Sequence, residues 1–129
     1  MISSTEGFWA LLYHWKSSRV QVDVTVTLHR GSDKVLMSTL RGYIDNTENN
    51  TVMISADDLN IIEFNVVDAK LLVVTMSELE KTSKSYADQL RNRQHQSEFI
   101  EPFLLLFMHE DSAASVTVMI NALRPATVQ

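Results

Sequence analysis

Four histidines and two pairs of adjacent acidic residues, Asp57-Asp58 and Glu110-Asp111, are the parts of this 129-residue chain that suit acid–base or metal chemistry. The histidines stand alone, because no two of them have the one-residue or three-residue separation typical of paired metal ligands. His109 is followed directly by Glu110 and Asp111, a cluster that predicts either a general acid–base group or a solvated hairpin turn. A small enzyme built on this chain would use dispersed residues, namely His29, His109, Glu110 and Asp111.

Several catalytic and cofactor motifs are missing from the sequence. Three glycines cannot form a phosphate-binding loop or a dinucleotide fingerprint, and no serine stands between two glycines in a nucleophile elbow. The absence of cysteine excludes disulfides and thiolate nucleophiles. We therefore expect no metal and no cofactor.

Aromatic residues near the N-terminus could bind a ligand by stacking. Ser3 and Glu6 have the spacing of a capping box, and an apolar stripe follows at helical spacing, which predicts a helix over residues 4–17. Trp9 and Tyr13 lie four residues apart beside this stripe and form a candidate exposed aromatic edge. The alternative is that both aromatic side chains are buried between the sheet and the C-terminal segment.

The sequence after the helix predicts a sheet. Five apolar residues alternate with polar ones over residues 20–29, the clearest strand pattern in the chain, with one buried and one polar face. Turn residues at 30–34 predict a hairpin, and three further short strands follow before residue 77.

The rest of the chain, from residue 77 onward, begins with a change of pattern. Ser77 and Glu80 form a second capping-box pattern and predict a helix to about residue 96, after which two apolar runs predict a C-terminal hairpin. The fold class is therefore α+β and mainly β: an N-terminal helix, a five-strand curved antiparallel sheet or small barrel, then a helix and a hairpin. We expect one domain over residues 1–129, with a core over 5–76 and an extension over 77–129.

Residues 5–76 resemble the Sm-like small β-barrel family. In that family the second strand ends in Gly, an aromatic residue and Asp, with Asn in the following loop, and here Gly42-Tyr43 is followed by Asp45 and Asn49. The resemblance implies that Asn49 contacts an RNA base and that Asp45 orients it. The family's later Arg-Gly pair is replaced by Asp68-Ala69, so the adjacent Lys70 would have to supply the cation.

Charge and composition limit the choice of partners. The net charge is −5 and the basic residues are scattered, which argues against broad binding to DNA. No apolar run approaches the ~20 residues of a membrane span, and no signal peptide is evident, so we expect a cytoplasmic protein without membrane contact.

Strands without prolines leave sheet edges that need a cover or a partner. The sequence therefore favours a non-catalytic binding or scaffold module that self-associates through its sheet edges as a homo-oligomer, and a different protein partner is compatible with it. The alternatives are an Sm-like RNA-binding protein, with RNA as partner, and a small enzyme with dispersed catalytic residues.

Overall fold

Two helices and seven strands follow one another in the computed structural model, which describes residues 5–30, 33–48, 50–56, 61–82, 84, 87–88, 99–109 and 114–124. Their order is α1 (Thr5–Ser17), β1 (Gln21–Arg30), β2 (Asp33–Asn46), β3 (Thr51–Ser55), β4 (Ile61–Asn65), β5 (Lys70–Val74), α2 (Met76–Thr82), β6 (Phe99–His109) and β7 (Ala114–Leu123).

The strands form one antiparallel sheet in the order β4-β3-β2-β1-β7-β6-β5. The mainly β class, the N-terminal helix, a second helix and the C-terminal hairpin are confirmed, and most of the expected length of the second helix, up to residue 96, lies outside the described residues. The expected five-strand sheet has seven strands in the described part of the chain, because the hairpin β6–β7 joins the same sheet and lies between β1 and β5. β7 thereby supplies the backbone partner that the second edge of β1 requires.

The sheet curls into a half-barrel. β4 and β5 lie at opposite ends of the strand order, although only the short connection from Asn65 to Lys70 joins them along the chain. Five residue steps span at most about 18 Å, so the two edges must approach each other. Within this connection the Ala69 amide donates to the Val66 carbonyl at 3.1 Å, and Asp68 has a φ of 64°.

Helix α1 fills the inside of the curl. Its buried residues are Phe8, Leu12 and Trp15, which follow the spacing that predicted the helix. The helix contacts both β2 and β5, which lie far apart in the strand order, so the sheet must wrap around it. Leu104 and Ile120 from the C-terminal hairpin belong to the same apolar cluster. Residues 5–76 and the hairpin therefore share one core.

The outer face of the sheet has a second, smaller core. Leu79 of α2 and Ala87 pack there with Leu72, Phe103 and Leu105. The strand β1 was expected to have one buried and one polar face, and its second face is indeed polar but is also buried. Asp23, Thr25 and Thr27 are all buried there.

Helix α2 begins earlier than its predicted cap. Thr75 is the N-cap, because its hydroxyl accepts a hydrogen bond from the Glu78 amide at 3.2 Å, while the Glu78 carboxylate accepts from the Thr75 amide at 3.1 Å. This reciprocal pair is a capping box. The prediction that Ser77 and Glu80 form the box is wrong, since Ser77 already lies inside the helix.

No helix of the described residues is long and apolar enough to cross a membrane.

Candidate functional site

A cleft of about 390 Å³ opens where the C-terminal end of α1 meets the edge of the sheet. We call it the edge cleft. It is lined by Arg19, Tyr43, Ile44, Asp45, Ser55, Ala56 and Ile61. These residues come from the turn after α1, from β2, β3 and β4, and from Ala56 just after β3, so the cleft depends on the curl of the sheet.

Arg19 reaches the cleft through the turn that ends α1. The Arg19 amide donates to the Lys16 carbonyl at 3.2 Å and the Val20 amide donates to the Trp15 carbonyl at 3.0 Å, which together form a Schellman motif. Arg19 occupies the left-handed position of this motif with a φ of 54°. Glycine is usual there, and a residue with a Cβ costs roughly 1–2 kcal/mol. Arg19 therefore carries a conformational cost at a position from which its side chain lines the edge cleft.

The Arg19 guanidinium lies over the ring of Tyr43, with its carbon 5.0 Å from the ring centroid. A cation–π contact of this kind contributes about 0.5–1 kcal/mol at an exposed site. A cation–π contact is not a hydrogen bond, so it does not use up the N–H donors of the guanidinium. This wall of the edge cleft therefore combines a positive charge with an aromatic surface.

Asp45 supplies a negative charge to the edge cleft, opposite in sign to that of Arg19. The pairing of β2 with β3 shifts between Ile44 and Asn46, so Asp45 is the extra residue of a β-bulge. Bulges of this kind redirect a side chain from its strand. The Asp45 carboxylate accepts a hydrogen bond from the Ser55 hydroxyl at 3.0 Å.

Gly42 permits the close approach that shapes this end of the sheet. A Cβ atom at Gly42 would lie 2.7 Å from the carbonyl carbon of Ser55 and 2.9 Å from the Cα of Ala56. Both are backbone atoms and cannot move aside cheaply, so the backbone at Ser55 and Ala56 can approach β2 this closely only because residue 42 has no side chain.

The residues selected from the sequence lie in different places. Asp45 lines the edge cleft, Asn49 lies outside the described residues, and Lys70 is exposed on β5 and does not line the cleft. Tyr13 is 62% exposed on α1, whereas Trp9 is half-buried and packs edge-on against Phe8. The RNA-binding set of Asp45, Asn49 and Lys70 stays a prediction.

Two of the four candidate residues for an enzyme, His29 and His109, lie in one row across the sheet. His29 of β1 and His109 of β6 both pair with Ser115 of β7, which places the three residues in one row across the sheet. Glu110 and Asp111 lie outside the described residues. Within the described ranges, no three His, Asp or Glu side chains are grouped to hold a metal ion.

A buried polar row crosses the centre of the outer face. Asp23 pairs with Arg41 on one side and with Asn121 on the other. The Arg41 Nε donates to the Asp23 carboxylate at 3.2 Å, and the two side chains are 40% and 1% exposed. Among the described residues, the Asn121 amide and the Thr27 hydroxyl are buried without a hydrogen-bond partner.

Sequence reasoning missed Arg19, Ser55 and Ile61 as members of a site. Arg19 had a usable signal, since it follows the end of the predicted helix where a glycine is usual. Ser55 and Ile61 had no such signal, because they meet Asp45 only through the bulge and the curl.

No known protein family, curated protein or solved structure matches the chain.

Proposed function

We propose that the protein is a non-catalytic binding module that associates with a second copy of itself through the edge strand β4. The observation that supports this proposal is that, among the described residues, β4 is paired on one side only, with β3. The strand β5 at the other end of the order is also paired on one side only within the described residues, with β6. It begins with the exposed Lys70, a residue type that commonly protects a sheet edge, so β4 is the better candidate for an interface.

The composition of β4 suits an interface. Its sequence is Ile61-Ile62-Glu63-Phe64-Asn65, which contains neither the proline nor the lysine that commonly protect sheet edges. Ile61, at its start, and Val67, just beyond its end, are 56% and 57% exposed. Apolar side chains that flank an open strand would be buried by a second strand laid beside it.

A second copy is the partner that this edge fits most simply. Antiparallel pairing of β4 with β4 of a second copy would be symmetric about a two-fold axis, the commonest symmetry of soluble oligomers. Because β4 has only five residues, the interface would be small and the dimer weak and reversible. Glu63 in the middle of the strand would face its own counterpart and limit the affinity by like-charge repulsion.

The test is the solution mass over a wide range of protein concentration, measured by sedimentation velocity or by light scattering after size exclusion. We expect the mass to rise toward that of a dimer as concentration increases. Ile61→Lys should remove this rise, because it places a charge at the strand edge, whereas Glu63→Gln should strengthen it.

Met37→Lys is the matched control, because Met37 is an exposed apolar residue on β2 that pairs with Thr27 of β1 and lies outside β4. Its mass profile should equal that of the wild type. A wild-type monomer at every concentration, or equal losses in Ile61→Lys and Met37→Lys, would contradict the proposal.

A further inference from the structure

We propose that the edge cleft binds a small zwitterion, an α-amino acid with an apolar side chain. Of the described residues that line the cleft, Arg19 and Asp45 alone carry a formal charge, and the two charges are opposite. A ligand with both a carboxylate and an ammonium group matches this pair. The inference does not depend on self-association.

The two charged side chains keep capacity for a ligand. Arg19 meets Tyr43 in a cation–π contact, and the N–H edges of a guanidinium bind carboxylates with two parallel hydrogen bonds. Asp45 accepts one hydrogen bond from Ser55, whereas a carboxylate offers about four acceptor positions. The ligand carboxylate would therefore bind Arg19, and the ligand ammonium would bind Asp45.

The apolar part of the cleft selects the rest of the ligand. Ile44, Ala56, Ile61 and the ring of Tyr43 provide its uncharged walls, and Ile61 is more than half exposed. An aliphatic or aromatic side chain laid against Ile61 and Tyr43 would bury this surface, which stabilises binding by about 25 cal/mol per Å². The cavity of about 390 Å³ lies within the range typical of small-molecule sites.

Other ligand classes fit the charges less well. A phosphate or another simple anion would pair with Arg19 but would be repelled by Asp45, and the chain as a whole carries a net charge of −5. A simple cation would bind Asp45 and be repelled by Arg19. A zwitterion pairs with both.

The experiment is a titration of the full ¹⁵N-labelled chain, observed by NMR, with L-phenylalanine and its two half-ligands, 3-phenylpropanoate and phenethylamine. We expect L-phenylalanine to shift the backbone signals of Tyr43, Ser55 and Ile61 saturably. The half-ligands should bind about tenfold more weakly or worse, because each lacks one charge-assisted hydrogen-bonding group.

Two variants separate the roles of the charges. Asp45→Asn should remove the preference for L-phenylalanine over 3-phenylpropanoate, and Arg19→Gln should remove the preference over phenethylamine. Lys70→Gln is the control, since Lys70 is an exposed cation outside the cleft, and it should bind like the wild type.

Three results would overturn the inference. The first is the absence of saturable shifts at the cleft residues with L-phenylalanine. The second is equal affinity of the wild type for L-phenylalanine and 3-phenylpropanoate. The third is displacement of L-phenylalanine by oligouridylate through Tyr43, which would make the cleft an RNA site. A chain that binds L-phenylalanine and remains a monomer at every protein concentration supports this inference and contradicts self-association, so the two proposals fail separately.

Discussion

At the scale of single residues, the most unusual position is Asn121. It lies in the middle of the sheet beside the buried Asp23 carboxylate, and both polar atoms of its side chain lack a hydrogen-bond partner among the described residues. Burial of an unpaired amide costs roughly 1–3 kcal/mol relative to water. The rest of the fold must offset this cost, which makes Asn121 a position where a substitution can raise stability.

We predict that Asn121→Leu increases the free energy of unfolding by about 1 kcal/mol, because leucine has a similar size and no polar group to leave unpaired. Urea denaturation followed by circular dichroism measures the change. Thr27→Val, which removes the other unpaired buried group, should act in the same direction. Destabilisation by both substitutions would mean that bound water satisfies these groups in solution.

Residue types alone identified only part of the site. Asp45 was selected from the sequence and lines the edge cleft, but the partners that give it a role are Arg19 and Ser55. Their meeting depends on a left-handed turn and on a one-residue bulge, neither of which produces a repeating pattern. The alternation of β1 showed that Asp23 and Thr27 share a polar face, yet their burial depends on elements that are distant in sequence.

At the scale of the elements, helix α2 shows how a local pattern can be ambiguous. Two capping-box patterns overlap, Thr75 with Glu78 and Ser77 with Glu80. The end of β5 at Val74 decides between them, because the chain leaves the sheet there and Thr75 is the first residue free to act as a cap.

Thr75→Ala should lower the free energy of unfolding by about 1 kcal/mol, since it removes the side-chain oxygen that caps the Glu78 amide. Ser77→Ala should change it by less than about 0.5 kcal/mol, because Ser77 is exposed within the helix. Thermal denaturation of the two variants distinguishes them. A larger loss in Ser77→Ala than in Thr75→Ala would place the cap at Ser77 instead.

The positions of the elements were largely predictable from periodicity. Helix α1 and strands β1, β2, β6 and β7 lie close to the segments selected from their apolar spacing. The arrangement of the strands was not predictable, because alternation shows that a strand has a buried face but does not determine which strands pair with it. The insertion of the hairpin between β1 and β5 is a tertiary choice of this kind.

At the scale of the whole molecule, β1 holds the two halves of the chain together. It pairs with β2 along one edge and with β7 along the other, and its Val24 side chain is fully buried in the core that surrounds α1. A disturbance of β1 therefore acts on strands from both ends of the sequence.

Val24→Asp should abolish the cooperative unfolding transition, because a carboxylate buried among apolar side chains has no partner and its burial costs several kcal/mol. Circular dichroism melting and the dispersion of amide proton signals would show the loss. Gln21→Asp is the control, since Gln21 lies on the same strand and is exposed. A wild-type melting curve for Val24→Asp would show that the β1 side chains face the opposite way.

The pairing of β1 with β7 also constrains how the chain folds as it is synthesised. The hairpin β1–β2 can form as soon as residues near Asn46 leave the ribosome. Val22 of β1, however, cannot pair with Ala122 until β7 has been synthesised. Until then the second edge of β1 is open, and the apolar residues around α1 lack the cover that β6 and β7 supply. Sheets closed by such distant segments form slowly and expose edges that aggregate. The nascent chain therefore depends on being kept apart from other chains until its last strand has been made.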